Sequence, residues 1–496
     1  PDIDQNFAEA WSTLRDNALF YVKAEYDLSD ALKLNVTPYA HQQSGRGDWL
    51  PPYQLYVTNA SGDRVTQGNL KATRYTHVDA QNRPILDPNA DLSKAKRVSS
   101  YRHTHYDKDR YGALADLNWS LDSHTLRAGV WLENQTRNRT RDWHTVIDAK
   151  IYHHFDERPY WIQFNEDYTT KVAKLYLQDE MDFGDLRLNL GVQKFLVDIE
   201  RQDNLNNLGF DKLDSDSELL PSAGLVYQLT PETELFAGYS ENFKAINDGL
   251  LESRKAKDLT NLNPETAKNL EAGVRYSNGP LSLSATAYTV KFSDRIALLR
   301  YSVNPDGTPN YLAAGDGNFD NVGGVDSRGF ELGLSWSMTD TLSLQGSFSQ
   351  NDAEYNEDVF ESKKLPDGKD GRVISYKAGQ KVAGVPERMA SLGLNFSQDS
   401  YRAGINAKYV GEYFGAAKHT FVNAKDVWNR DQIPSYTNFS LYAGYSKELD
   451  SQLINSLDIN FVINNLTDKE HISGGSEGAY LIGAGRSASL TLSLGF

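Results

Sequence analysis

The stretch RSASLTLSLGF, residues 486–496, closes the chain and carries the pattern from which the fold follows. Every second residue from Ala488 to Phe496 is apolar, and the residues between them are Ser, Thr or Gly. Successive side chains of a β-strand point to opposite faces, so this alternation predicts a strand with one apolar and one polar face. Phe496, the last residue of the sequence, falls on the apolar face.

The same alternation recurs along the 496 residues. Further alternating segments are 111–121, 126–132, 186–193, 223–229, 270–276, 330–338, 342–349, 390–396, 401–409, 439–445 and 457–463. Short connections rich in Asp, Ser, Asn, Gly and Pro alternate with long ones. The short ones are 121–124, 183–185, 229–233, 277–280, 338–341 and 397–400, and the long ones lie near 43–107, 136–167, 199–218, 241–264, 299–324, 351–385, 411–434 and 470–484. Counting back from Phe496 gives about 17 strands, the first of them near 17–28.

A membrane β-barrel accounts for this arrangement better than a soluble β-sandwich does. A barrel strand crosses a membrane with about 10 residues of alternating pattern, whereas a transmembrane helix needs about 20 apolar residues, and the sequence has no such run. Outer-membrane barrels combine tight periplasmic turns with long outer loops, while the two ends of a sandwich are less unequal. The sequence therefore predicts an all-β fold: a transmembrane antiparallel up-and-down β-barrel in the bacterial outer membrane.

Composition narrows the class of function. A net charge of −16 disfavours nucleic acid as a partner, and the lack of Cys excludes disulfides and thiolate metal sites. The sequence has no nucleophile elbow, phosphate-binding glycine loop or zinc-protease helix, so we expect neither an enzyme nor a resident cofactor. The 28 Tyr residues suit a protein with aromatic belts at the membrane interfaces.

Six stretches together resemble the barrel of a TonB-dependent outer-membrane receptor. They are GYSENFKA (238–245), NLNPETAKNLEAGVRY (261–276), GVDSRGFELGLSW (324–336), VPERMASLGLNF (385–396), INNLTDKEH (463–471) and GRSASLTLSLGF (485–496). Each motif is weak alone, but their order and spacing also fit, and the resemblance covers the chain from about residue 108 to the end. In outer-membrane barrels generally, a C-terminal Phe such as Phe496 is read by the barrel-insertion machinery.

This resemblance implies a 22-stranded barrel, a plug domain in its lumen, and cargo uptake driven through the TonB complex of the inner membrane. The implied cargo is a ferric siderophore, with haem, cobalamin and carbohydrate as alternatives. Outer-membrane lipid and lipopolysaccharide would surround the barrel. No stretch of the sequence resembles the plug, so we expect residues 1–496 to form the barrel domain alone. A passive porin-type pore or a surface adhesin is the alternative from another class.

Aromatic and basic residues in the long connections are the candidates for cargo contact, because aromatic side chains and guanidinium groups suit an anionic chelate. The aromatic candidates are Trp49, Tyr53, Tyr56, Trp143, Tyr160, Trp161, Tyr311, Phe319, Tyr413, Phe414 and Trp428, and the basic ones are Arg74, Arg139, Arg141 and Arg430. Packing of loop on loop explains any single one of them equally well.

Histidine pairs raise a second possibility, the binding of haem iron or a divalent metal. In YRHTHYDKDRY, His103 and His105 share one strand face, and IYHHFDERPYW holds His153 and His154 between aromatic residues. Solvated loop histidines are the commoner explanation of such pairs. The Asp-rich segments 304–321 and 365–371 similarly suggest either a calcium site or simple turns, since the twelve-residue calcium-loop pattern is incomplete.

Overall fold

In the computed structural model, residues 12–496 are described except for 50–56, 59–63, 66–74, 79–95, 146–154, 156, 160, 206–208, 252–261, 301–317, 322, 365–369, 417–419, 423–424, 428–429, 450–452 and 477–478. One antiparallel sheet dominates these residues. Its long strands are β1 (Ser12–Tyr21, continued by Ala24–Ser29), β2 (Leu32–Trp49), β3 (Lys96–Leu121), β4 (His124–Thr145), β5 (Trp161–Asp182), β6 (Leu186–Asp203), β7 (Leu220–Thr230), β8 (Thr233–Lys244), β9 (Glu265–Asn278), β10 (Leu281–Ser293), β11 (Val325–Ser337), β12 (Leu342–Tyr355), β13 (Arg388–Gln398), β14 (Tyr401–Val410), β15 (Tyr436–Glu448), β16 (Ser456–Asn464) and β17 (Ser487–Gly495).

Shorter elements lie in the long connections. They are the strands Val57–Thr58, Arg64–Val65, Tyr75–Val78, Phe210–Asp214, Ile296–Arg300, Asn318–Asn321, Val359–Lys364, Asp370–Tyr376, Tyr413–Ala416, Thr420–Val422, Lys425–Val427, Arg430–Ile433, Ile472–Ser476 and Ala479–Ile482, and the 3₁₀ helix Asp248–Leu251. Within the part of the chain that the structure describes, no helix is both long and apolar enough to cross a membrane.

Each long strand pairs with the next one along the chain, from β1 to β17, as an up-and-down meander requires. The 17 long strands of the described residues match the predicted count, and the short turns fall at the predicted places. Among these residues no ladder joins β17 to β1, so both lie at edges of the described sheet.

The sequence analysis placed the ends of several strands wrongly. Residues 43–49, 136–145 and 161–167 were assigned to long loops, but they continue β2, β4 and β5. These extensions are rich in polar and charged residues, because they no longer face lipid and the apolar half of the alternation is therefore lost. Their regular hydrogen-bonded ladders nevertheless continue, apart from one bulge between Arg141 and Asp142.

The two faces of the sheet differ as a barrel in a membrane requires. Large apolar side chains such as Leu332, Leu392 and Leu490 are about half exposed or more, and directly paired residues of neighbouring strands continue the same apolar surface. The opposite face carries Glu271 and Glu331 among Ser, Thr, Asn and Gln. Lipid can cover the first face, and the second lines a polar lumen.

Glycines opposite aromatic residues recur on the luminal face. The directly paired positions are Tyr39 with Gly112, Tyr176 with Gly129, Phe236 with Gly273, Tyr288 with Gly329, and Tyr442 with Gly404. At each of these glycines, a Cβ atom would lie between 2.4 and 2.9 Å from the nearest carbon of the paired ring. The ring thus lies flat over the glycine and covers backbone that would otherwise face the lumen.

We expect Gly273→Ala to lower the free energy of unfolding by about 1–3 kcal/mol, the usual cost of overpacking. The added Cβ would lie 2.4 Å from the Ala285 carbonyl oxygen and 2.5 Å from the Phe236 ring, so backbone as well as side chain must move. Gly47→Ala is the matched control, because nothing lies within 4 Å of its added Cβ. Urea titration in detergent would measure both variants, and equal stabilities would contradict this packing role.

Candidate functional site

The candidate site lies where β2 to β6 extend beyond the membrane. β4 has 22 residues. At about 3.3 Å per residue and a tilt of about 40°, such a strand rises roughly 55 Å, whereas the apolar band of a barrel is about 25 Å tall. β4 begins at the tight turn 121–124, so its residues from about 137 onward lie above the membrane on the side of the long loops.

Arginine side chains stacked on aromatic rings line the luminal face of these extensions. Arg102 of β3 lies over the Trp49 ring of β2, with 4.2 Å between its Cζ and the ring centroid. Arg139 and Arg141 of β4 both lie over the Phe164 ring of β5, at 4.0 and 4.8 Å. The quadrupole of an aromatic ring attracts a guanidinium group that lies over its face. The N–H donors of the guanidinium lie in the plane of that group and point away from it at its edges.

We call these five residues, together with Arg137 and Tyr168, the arginine–aromatic wall. The Arg137 Cζ is 4.4 Å from the Tyr168 ring centroid, and the Arg137 guanidinium also forms an ion pair with Asp248 at 3.1 Å. Directly paired strand positions place these side chains on one face: Trp49 is opposite Arg102, and Arg137 is opposite Tyr168. The wall therefore combines positive charge with apolar rings, a combination suited to a planar or anionic ligand.

A buried ion network lies beside the wall. The Arg201 side chain has no exposed surface, and its guanidinium contacts Glu166 at 3.4 Å and Asp211 at 2.6 Å. Glu166 accepts a hydrogen bond of 2.8 Å from the Tyr168 hydroxyl and lies 3.6 Å from Arg139. Because each charge has a partner, the network can fix the positions of β5 and β6 above the membrane.

The segment after β8 packs onto the same part of the lumen. Leu251 of the 3₁₀ helix and Ile246 before it are buried in a cluster with Tyr168, Val197 and Ile199. This cluster covers part of the luminal surface of β5 and β6. Of the wall residues, Tyr168 belongs to this cluster, and the Arg139 side chain is likewise largely shielded from solvent.

The structure brings together four of the predicted contact residues, namely Trp49, Arg139, Arg141 and Trp143. Their predicted location in loops was wrong, since they belong to β2 and β4. Trp143 is fully buried and donates a hydrogen bond of 3.1 Å to Gln163, so it supports the wall and is not an exposed contact residue. The polar neighbours of Trp143 in the sequence gave no sign of this burial.

Other predicted residues are dispersed or outside the described chain. Tyr413 is buried with Val410 and Ile433 and belongs, like Phe414, to a short strand far along the chain from the wall. Trp161, Phe319 and Arg430 lie in strands whose side chains here are not described. Tyr53, Tyr56, Arg74, Tyr160, Tyr311, Trp428, His153 and His154 fall outside the described residues, as do most of the two Asp-rich segments.

A histidine–aspartate cluster occupies the other face of the same extensions. His103 and His105 of β3 lie beside Asp142 of β4, with 3.1 Å between His105 Nε2 and Asp142 Oδ2 and 3.9 Å between His103 Nδ1 and Asp142 Oδ1. His144 Nε2 is 3.3 Å from Asp142 Oδ1. One potential ligand atom from each of His103, His105 and Asp142 lies within 4.8 Å of the other two. The predicted shared face of the two histidines is thus confirmed, and Asp142 and His144 were not foreseen.

The cluster perturbs the pKa values of its members in opposite directions. Burial, reinforced by His144 and Arg46, lowers the pKa of His103 to about 3, so this imidazole is neutral at physiological pH. The hydrogen bond to Asp142 raises the pKa of His105. Burial alone would raise the pKa of Asp142, but hydrogen bonds from His105 and His144 hold it below its usual range.

Comparison with known proteins gives a consistent family match. A family model described as "TonB dependent receptor-like, beta-barrel" matches residues 2–466. The metal-pseudopaline receptor CntO of Pseudomonas aeruginosa is 27% identical over 335 residues, which are 64% of this chain and 40% of that protein. The probable TonB-dependent siderophore receptor PiuA of Acinetobacter baumannii is 22% identical over 500 residues, which are 96% of this chain and 60% of that protein.

Solved structures show the same fold. The crystal structure of the siderophore receptor PiuA from Acinetobacter baumannii superposes with a TM-score of 0.65 at 17% identity, covering 99% of this chain and 66% of that chain. The chain thus spans between two fifths and two thirds of the length of these relatives.

We expect Arg201→Met to lower the free energy of unfolding by about 3–5 kcal/mol, because it removes the fully buried cation that contacts both the Glu166 and the Asp211 carboxylates. Adding Glu166→Gln to Arg201→Met should restore part of that loss. Arg187→Met is the control, since the Arg187–Glu234 pair is partly exposed and such pairs contribute at most about 1 kcal/mol. Denaturant titration in detergent micelles would measure all of these variants. Similar losses for Arg201→Met and Arg187→Met would contradict the role of the buried network.

Proposed function

Because the chain belongs to the TonB-dependent receptor-like β-barrel family, we propose that it takes up a ferric siderophore into the bacterial cell with energy delivered through TonB. The family is one of outer-membrane receptors and not of enzymes, in agreement with the location and the lack of catalysis expected from the sequence. The observation that carries the proposal is the family match over residues 2–466, which includes β1 to β16 of the 17-stranded meander.

The cargo class is supported by two separate observations. One relative is named a siderophore receptor and another a metal-pseudopaline receptor, so both names refer to metal chelates. In this chain, the half-buried Arg102 on Trp49 is the accessible part of the arginine–aromatic wall, above the membrane where a chelate arriving from outside would enter the lumen. Ferric chelates that carry net negative charge are a chemical match for such a wall.

The proposal includes partners that act outside the described wall. We infer that a plug domain, supplied by sequence beyond residues 1–496, fills the lumen. This domain would transmit the force exerted by TonB to the cargo-binding site. Lipid and lipopolysaccharide cover the apolar face. The Phe496 side chain is 83% exposed just after the end of β17, an accessible position for recognition by the barrel-insertion machinery.

Uptake of radioactive iron tests the proposal directly. A strain lacking the gene should lose accumulation of at least one ferric siderophore, and the wild-type gene should restore it only when TonB is intact. A panel of hydroxamate, catecholate and carboxylate siderophores would identify the cargo, with haem and cobalamin as the alternative class. Unchanged uptake of every siderophore, together with steady ion conductance in planar bilayers, would instead support a passive pore.

The half-buried pair of Trp49 and Arg102 provides the sharper test of the wall. We expect Arg102→Gln to weaken binding of an anionic ferric chelate about tenfold or more, since a contact with a charged partner contributes about 1.5–3 kcal/mol. Trp49→Ala should act in the same direction because the ring holds the guanidinium in place. Arg187→Gln is the matched control, as this arginine also faces the lumen but pairs with Glu234 near the periplasmic turn.

Fluorescence quenching or calorimetry with the purified receptor would give the dissociation constants. If Arg102→Gln and Arg187→Gln bind the chelate equally well, the wall does not contact the cargo.

A further inference from the structure

Four neighbouring strands contribute to one row of polar residues on the outward face of the extensions. Asp48 of β2, His103 of β3 and Asp142 of β4 are directly opposite one another in the two ladders, and Ser12 of β1 is opposite Asp48. His105 follows His103 at the next position of the same face. The register therefore brings together residues that are far apart in the sequence, and these include two imidazoles and two carboxylates.

This row lies on the outer face of the barrel, whereas the arginine–aromatic wall lies on its luminal face. His103 and His105 are separated from Trp119 and Leu121 by an even number of positions along β3, so all four belong to the same face of that strand. Trp119 and Leu121 are exposed on the lipid-facing surface. The ladder between β3 and β4 has no register shift from residue 100 to residue 121. The row is thus on the outer surface of the protein, above the membrane, and a ligand bound there would not contact cargo in the lumen.

We propose that His103, His105 and Asp142 form a binding site for a divalent transition-metal ion such as Zn²⁺. Two ligand atoms about 2.1 Å from a tetrahedral metal lie about 3.4 Å apart. The distances from Asp142 Oδ1 to His105 Nε2 and to His103 Nδ1, 3.2 and 3.9 Å, fall on either side of that value. The three ligand atoms all lie within 4.8 Å of one another, so the side chains would have to move closer together around the ion. Two imidazoles with one carboxylate are a ligand set that zinc commonly takes.

His103 supplies an independent argument for a ligand. This side chain is only 2% exposed, and its Nε2 atom forms no hydrogen bond with any described residue. Nε2 lies 3.7 Å from Asp48 Oδ1 while Nδ1 faces Asp142. With a metal on Nδ1, the Nε2–H would point toward Asp48, which is the carboxylate–histidine–metal arrangement that orients histidine ligands.

The surroundings would hold the ion in a partly closed site. The Phe155 ring lies edge-on to His103 and His144, with centroid distances of 4.5 and 5.1 Å. Arg46 forms an ion pair of 3.0 Å with Asp48, so Asp142 is the carboxylate of this row that faces the proposed ion. His144 Nε2 is 3.3 Å from Asp142 Oδ1, at the edge of the proposed site. An ion here would connect β3 to β4 on the outer surface. It would thereby stabilise two of the strands that carry the arginine–aromatic wall on their other face.

Titration with Co²⁺, whose visible absorption reports its coordination geometry, tests the site in the full receptor after removal of metals with a chelator. We expect one Co²⁺ ion per chain with the intense absorption of tetrahedral coordination. Zn²⁺ should displace this ion, whereas Mg²⁺ and Ca²⁺, which prefer oxygen ligands, should not. His105→Gln and Asp142→Asn should each weaken binding at least tenfold, since even supporting residues of metal sites contribute on that scale.

His124→Gln is the matched control. His124 forms a 2.9 Å pair with Asp179 near the periplasmic turn, and the described residues contain no third metal ligand there. Circular dichroism would verify that every variant is folded; His105 is partly exposed, so its replacement should leave the barrel intact. A receptor that retains no Co²⁺, or that loses it equally in His124→Gln and His105→Gln, would overturn the proposal. The outcome of the Co²⁺ titration does not depend on whether the receptor takes up siderophores.

Discussion

Backbone hydrogen bonding in a medium without water is the constraint on which the rest of this structure depends. In hydrocarbon each N–H and C=O group needs a partner within the protein, and a continuous antiparallel ladder supplies one for each strand. Once strands pair in this way, their side chains can only point to lipid or to the lumen. The alternation of apolar and polar residues from Ala488 to Phe496 is the direct consequence, and the same alternation returns in strand after strand.

Sequence alone was sufficient for the features that follow from this constraint. Turn residues such as those at 121–124 and 277–280 mark the periplasmic ends, because tight antiparallel turns need residues that tolerate unusual backbone angles. The spacing of these turns then yields the strand count. The extended parts of β2, β4 and β5 escaped the sequence analysis because above the membrane neither face is lipid, so hydrophobic alternation no longer distinguishes strand from loop.

The contents of the candidate site depended on register, which a single sequence does not reveal. Nothing near His103 in the sequence pointed to Asp48 or Asp142, 55 and 39 positions away, yet the ladders bring all three side chains together. The same limitation applies to Arg201 and Glu166. Trp143 illustrates the converse error, since an aromatic residue among arginines suggested an exposed contact and the structure places it in the interior. Local composition indicated which kinds of side chain were present but not which face of the sheet carries them.

The extensions of β2 to β6 thus present two chemically different faces above the membrane, and both faces belong to the same strands that cross it. The inner surface has guanidinium groups on aromatic rings, and the outer surface has imidazoles around a carboxylate. The proposed cargo contact and the proposed metal site therefore lie on opposite sides of the same strands. Both surfaces depend on the strict inward and outward alternation of side chains along each strand.

That alternation can be measured directly, because residues 1–496 contain no Cys that would compete with an introduced one for the label. Nitroxide labels on single cysteines at successive positions 329–336 of β11, in the receptor reconstituted into lipid bilayers, would report access to oxygen dissolved in lipid and to a water-soluble nickel reagent. The structure predicts that oxygen access peaks at positions 330, 332, 334 and 336, and nickel access at the positions between them. Equal access at all positions, or the two reagents rising and falling together, would contradict a wall with lipid on one side and an aqueous lumen on the other.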